Sequence, residues 1–148
     1  MIKIQKETFS IDKNIKDVTN HLYSIGAATS FIGYVRDFHQ IGNDKYLYIE
    51  HYEGMTNKCL LKIEYDAKKK WDLIDVRIIH RVGKLNVGEP IVFVLVVSPH
   101  RDDSFEACRF IIDNLKVNAP FWKKEVSTNT ISWVDQKKKD FDRVNYSD

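Results

Sequence analysis

Cross-linking and chain-breaking residues are scarce in this sequence. Two cysteines, Cys59 and Cys108, in 148 residues cannot make a disulfide framework. Both lie in helix-like patterns with apolar neighbours, which predicts buried thiols packing as small hydrophobes. Three prolines and six glycines leave no low-complexity linker, and no repeat or internal domain boundary divides the chain. Charge of one sign is also lacking: the net charge is +2, too small for a protein whose main partner is a nucleic-acid backbone. No apolar run approaches the ~20 residues of a membrane span. The stretch Met1-Ile2-Lys3-Ile4-Gln5-Lys6-Glu7 alternates like a strand and does not resemble a signal peptide. These features lead us to expect a cytoplasmic, reduced setting. There is no HExxH, no CxxC, no GxGxxG or P-loop, and no Gly-x-Ser-x-Gly elbow. A metal hydrolase, a nucleotide switch and a serine hydrolase therefore lack support, and neither metal nor cofactor is expected.

What is present reads as a mixed α+β domain. Ile2 to Phe9 alternates like a strand, and Asp12 to Ser24 carries Ile15, Val18 and Leu22 at helical spacing. Ala27 to Arg36 is predicted to be a strand, Asp37 to Asp44 a polar loop around Gly42-Asn43. Lys45 to Tyr52 is a further strand, with Tyr46, Tyr48 and Tyr52 on one face and Leu47 and Ile49 on the other. Thr56 is placed to cap a helix to about Lys70, with Leu60, Ile63, Ala67 and Trp71 on its apolar face. Leu73 to Arg81 reads as a strand and Gly83 to Pro90 as turn chemistry. Ile91 to Ser98, the most apolar run, suits a strand covered on both faces.

The clearest helix is Asp103 to Val117. Asp103 and Glu106 resemble a capping box, Cys108, Ile111, Ile112 and Leu115 form a buried stripe, and Pro120 stops it. Two short strands, Trp122 to Ser127 and Thr130 to Asp135, follow. Residues 1–135 thus form a single expected domain. Residues 136–148, with Lys137, Lys138 and Lys139, read as a basic, flexible C-terminal tail or a last helical turn.

The chemistry-bearing residues left are cations at the ends of apolar elements. His100 and Arg101 follow the buried strand and precede a helix, where free backbone N–H groups and the helix dipole favour an anion. A plainer reading pairs Arg101 with Asp102 and makes His100 a strand end. Lys116 lies in the last turn of the same helix, where it also complements the dipole. Beyond it comes Ala119-Pro120-Phe121-Trp122-Lys123-Lys124-Glu125. Large aromatics can wall a lysine off from water, which disfavours its charged form and frees its amine for proton transfer or attack. Arg36 alone reads as a surface arginine, and His51 as a strand histidine.

Several blocks, in order and at matching spacing, resemble the large, catalytic subunit family of molybdopterin synthase. They are Phe31-Ile32-Gly33-Tyr34-Val35-Arg36, Glu50-His51-Tyr52-Glu53-Gly54-Met55, Ile79-His80-Arg81-Val82-Gly83 and Gly88-Glu89. Ser98-Pro99-His100-Arg101 with Phe105-Glu106-Ala107, Leu115-Lys116 through Glu125, and Trp133-Val134 complete the series. The resemblance implies an α/β hammerhead-type α+β fold with a small additional β portion. It implies a sulfurtransferase that dimerises, each copy binding a small ubiquitin-like sulfur carrier to give a heterotetramer. The carrier's C-terminal Gly-Gly thiocarboxylate would deliver sulfur, in two rounds, to cyclic pyranopterin monophosphate, building the molybdopterin dithiolene of molybdenum-cofactor biosynthesis.

Matched position by position, the resemblance makes Lys116 the key catalytic lysine and Lys123 the second. Arg36, His100 and Arg101 become residues of the anion-holding pocket, joined there by Lys116 and Lys123. Phe31 and Glu125 become pocket or support residues. Lys137 stands where members often carry an arginine that reaches a neighbouring subunit's site, and Ile112 stands where a methionine is common. Together these predict one electropositive hollow that admits a slender Gly-Gly tail. Two other readings compete: a non-catalytic module binding a ubiquitin-like tail, and a nucleic-acid binder using the lysine runs. The modest net charge disfavours the second.

Overall fold

The computed structural model describes residues 1–20, 23–38, 44–128, 130–135 and 138–145. Two four-stranded sheets carry the fold. The first joins β1 (Ile2–Gln5), β4 (Asp75–Arg81), β6 (Pro90–Ser98) and β2 (Ala27–Tyr34) in that order. β6 is central, antiparallel to both neighbours, and buried along nearly its whole length. Its alternate residues face different layers. Val94 and Val96 pack under α2 (Glu53–Lys70) and α3 (Arg101–Asn118), while Phe93, Leu95 and Val97 pack under α1 (Ile11–Thr19) through Val18. That explains why the run is apolar without alternation.

The second sheet is β5 (Gly83–Asn86), β3 (Tyr46–His51), β7 (Phe121–Ser127) and β8 (Thr130–Trp133). It is the small additional β portion. Leu47, Ile49 and Leu85 on its inner face meet Val35, Val82 and Ile91 in a second cluster, with Phe121 packed against it. Gly83, at φ +83°, turns the chain from β4 into β5, a backbone conformation that favours glycine.

The segment read as turn chemistry thus contains a strand, because Leu85 is fully buried against β3 although its neighbours are polar. Helix starts also differ from the sequence reading. α2 begins at Glu53, with Tyr52 as its cap residue. Thr56 lies inside the first turn, where its Oγ1 accepts from the Tyr52 N–H (3.1 Å) and donates to the Pro120 carbonyl (3.0 Å). α3 begins at Arg101 after His100, so Asp103 stands in its first turn and is not the cap. The predicted buried stripe of α3 holds: Cys108, Ile111, Ile112 and Leu115 are all core residues. Cys59, expected to be buried like Cys108, is half-buried. Residues 138–145 form α4 (Lys138–Asn145), which packs on α3 and buries Asp140, so this part is not a detached tail. Among the described residues, no helix is long and apolar enough to cross a membrane.

Candidate active site

Strand alternation in β7 separates two adjacent lysines. Trp122 and Lys124 take the outer face, where the Lys124 ammonium bonds Glu50 (2.9 Å) and sits 4.5 Å from the Trp133 ring centre. Phe121, Lys123 and Glu125 take the inner face, opposite His51, Ile49 and Leu47 of β3. Lys123 is consequently part-buried, and its pKa falls below the ordinary lysine value. Burial is the largest cause and the charge of Lys116 the second, with Asp140 of α4 acting the other way. Two lysines from different elements, one on a helix and one on a strand, thus lie within electrostatic reach of each other.

Lys116, in the last turn of α3, lines a recess of about 370 Å³. Phe31 of β2 and Phe105 and Ile112 of α3 supply its apolar wall, and Arg143 of α4 joins Lys116 on its polar side. Asp113, buried at one edge, lies 3.7 Å from Arg109 and 3.9 Å from Arg143, so it ties α4 to α3. Cys108 also lines the recess, but burial pushes its thiol up to about 11. At neutral pH it is a protonated thiol, not a nucleophile. A larger open groove of about 840 Å³, between α2 and α3, holds none of the sequence-predicted site residues.

The structure therefore brings together Lys116 and Phe31 at one recess, and Lys116 and Lys123 through their charges. It does not bring the remaining cations to that recess within one chain. His100 and Arg101 stand at the opposite end of α3, sixteen and fifteen residues from Lys116. At helical rise this is about 22 Å. The expectation of a single hollow holding residues 101 and 116 is thus not met within this chain, since the two bracket one helix. Arg101 is exposed, with Nε 3.7 Å from an Asp102 carboxylate oxygen, the plainer pairing. The His100 N–H donates to Ser98 Oγ at 3.1 Å. Arg36 is exposed just past the end of β2 and does not line the recess. Lys137 lies outside the described residues.

Sequence reading missed Asp113, Asp140, Arg143 and His80. Asp113 carried a signal: it is a carboxylate inside the buried stretch from Phe110 to Leu115. His80 carried a similar one, a titratable ring following Ile78-Ile79 in a strand. Asp140 and Arg143 gave none, because a mixed-charge terminus looks the same whether solvated or docked. Among the described residues, no group of three His, Cys, Asp or Glu side chains could hold a metal ion.

An α+β fold with paired lysines beside a narrow recess defines a class of protein built to handle an anion. The MoaE protein family model matches residues 4–118. The chain is 42% identical over 134 residues to the molybdopterin synthase catalytic subunit of Pseudomonas aeruginosa, covering 90% of this chain and 89% of the relative. It superposes on molybdopterin cofactor biosynthesis protein E from Burkholderia multivorans with a TM-score of 0.83 and 38% identity, covering 100% of this chain and 97% of that one. The fold is shared at 21% identity and a TM-score of 0.76, over 92% of this chain and 91% of the other, with a chain from the complex of subunits 1 and 2 of molybdopterin-converting factor of Helicobacter pylori. The chain belongs to the MoaE protein family.

Proposed function

We propose that this chain is the catalytic subunit of a molybdopterin synthase, a sulfurtransferase that moves sulfur from the C-terminal thiocarboxylate of a ubiquitin-like carrier to cyclic pyranopterin monophosphate. The observation that carries the reading is the Lys116–Lys123 pair beside the Phe31 recess. Donor and substrate are both anionic, so the place where they meet must be cationic, and preorganised charge in a part-desolvated site acts more strongly than in water. Lys116, at the recess, orients the thiocarboxylate. Lys123, with its ammonium disfavoured, exchanges a proton more readily than an exposed lysine and serves the pterin side chain as acid or base. Phe31 gives the Gly-Gly tail an apolar wall, and Glu125, two residues along the same face, supports Lys123.

The length of α3 supports an assembly with shared centres. Arg36, His100 and Arg101 are the phosphate-holding cations of this reading, yet His100 and Arg101 lie far from their own Lys116. A homodimer in which each copy offers its His100-Arg101 end to the other's lysine pair resolves this, with Lys137 contributing to the same neighbouring site. One carrier per copy then gives a heterotetramer. The cytoplasm, where thiols stay reduced, suits a thiocarboxylate donor.

Reconstitution tests the reading. The chain, mixed with a thiocarboxylated carrier and cyclic pyranopterin monophosphate, should add sulfur to the pterin, followed by mass spectrometry of the product. Tight carrier binding with no sulfur incorporation would instead make it a non-catalytic binder of ubiquitin-like tails.

A further inference from the structure

One face of α3 carries Arg109, Asp113 and Lys116, spaced four and then three residues apart, so the three follow one another along the recess. Asp113 is the buried middle of this row. Arg109 brings its Nε to 3.7 Å from one carboxylate oxygen, Oδ2, and Arg143 of α4 brings a terminal guanidinium nitrogen to 3.9 Å from the other, Oδ1. Two guanidiniums therefore flank one carboxylate, and Lys116 stands less than a helical turn beyond it. Among the described residues lining the recess, three are cationic and one is acidic, so its polar side carries an excess of positive charge. The apolar wall opposite lowers the local dielectric and strengthens that charge.

A plainer role for Arg143 is to pin α4 to α3. Two observations point beyond it. Asp113 already has an oppositely charged partner in its own helix, Arg109, at the shorter distance, so the second guanidinium adds charge to the recess instead of balancing it. Arg143 also keeps 46% of its side chain exposed, against 7% for the carboxylate it meets, and it forms part of the recess wall where an entering ligand reaches it. We propose that Arg143 is an anion-binding residue of the recess: its guanidinium, braced by Asp113, holds the oxyanion that Lys116 attracts, a carboxylate-like terminus or a phosphate. Asp113 repels an anion, so the guanidinium edge turned away from it is the one used. That edge offers a planar, two-pronged contact that a lysine cannot make. The inference rests on the recess receiving the anionic ligands of the reaction proposed above. It gives each copy a guanidinium of its own beside Lys116, in addition to any that a second copy supplies.

The test compares the parent with Arg143→Gln, which removes the charge, and Arg143→Lys, which keeps the charge without the fork. Turnover is measured with thiocarboxylated carrier and cyclic pyranopterin monophosphate varied in turn. Arg143→Gln should raise the apparent KM of a ligand about tenfold, the worth of a charge-assisted hydrogen bond at a part-exposed position, with a smaller change in kcat. Arg143→Lys should recover part of the loss. A rise for the carrier identifies the thiocarboxylate as the bound anion, and a rise for the pterin identifies the phosphate. Parent-like KM values for both ligands in Arg143→Gln would overturn the proposal, as would a fall in kcat alone.

The Nε–H resonance of Arg143 in the unaltered protein, assigned by its loss in Arg143→Lys, separates contact with ligand from support of α4. It should move when carrier ending in an ordinary Gly-Gly carboxylate, or cyclic pyranopterin monophosphate, is added to saturation. A resonance that stays in place with both overturns the proposal, even where the variants lose activity through α4. These titrations need no turnover, so the two levels come apart. A protein that transfers no sulfur while its Arg143 resonance responds keeps this anion site and loses the proposed reaction. One that transfers sulfur while the resonance stays in place keeps the reaction and loses the role of Arg143.

Discussion

Burial and the Lys116 charge both disfavour the Lys123 ammonium, and Asp140 alone among the named neighbours favours it. Asp140 is itself buried, and its Oδ1 has no hydrogen-bond partner among the described residues. A carboxylate kept in that condition is costly unless a charge nearby offsets it. The sign of its effect can be tested. Asp140→Asn removes the influence that raises the Lys123 pKa, so the amine should lose its proton at lower pH. The limb of the pH–rate profile that depends on Lys123 should move to lower pH. A limb that stays in place or moves up would show that Asp140 does not act on Lys123.

Thr56 illustrates how an element can be located correctly while its detail is not. Sequence pattern places a helix over most of α2 and a hydroxyl at its start, but the hydroxyl works one turn inside. There it accepts from the Tyr52 N–H and donates to the Pro120 carbonyl, tying the start of α2 to the turn between α3 and β7. Thr56→Val preserves shape and removes both bonds in a fully buried position. The expected cost is about 2 kcal/mol, read as a lower urea midpoint at unchanged m-value. An unchanged midpoint would mean that neither bond matters to stability.

The same contrast runs through the fold. β6 and the stripe of α3 were legible because burial on one or both faces leaves a periodic apolar record. β5 was not, since four residues with only Leu85 and Gly83 buried resemble a turn. α4 was not, since its tie to α3 is the Arg143–Asp113 ion pair, between charged residues that periodicity cannot distinguish from a solvated surface. For the site, the Lys116, Phe31 and Lys123 grouping followed from the family blocks. The separation of Arg101 from Lys116 was implicit in the helix that joins them, and needed only its length.

That separation has its consequence in the assembly. If each centre draws Lys116 from one copy and Arg101 from the other, two inactive variants can complement each other. Lys116→Ala and Arg101→Ala, each inactive or nearly so alone, should recover activity when their dimers are dissociated, mixed and reassembled. Random pairing makes about half the dimers mixed, and each mixed dimer has one intact centre of two, so about a quarter of wild-type activity should return. No recovery, with mixed dimers demonstrably present, would place both residues in one copy's centre or remove Arg101 from the reaction.

The lysine pair at the recess is the claim on which the functional account stands. Its most direct test is single-turnover sulfur incorporation into cyclic pyranopterin monophosphate from thiocarboxylated carrier, with wild type run beside Lys116→Ala and carrier binding measured on both. The account predicts that Lys116→Ala binds carrier as tightly as wild type yet loses product formation by at least about a hundredfold. Near-normal product formation by Lys116→Ala would contradict it.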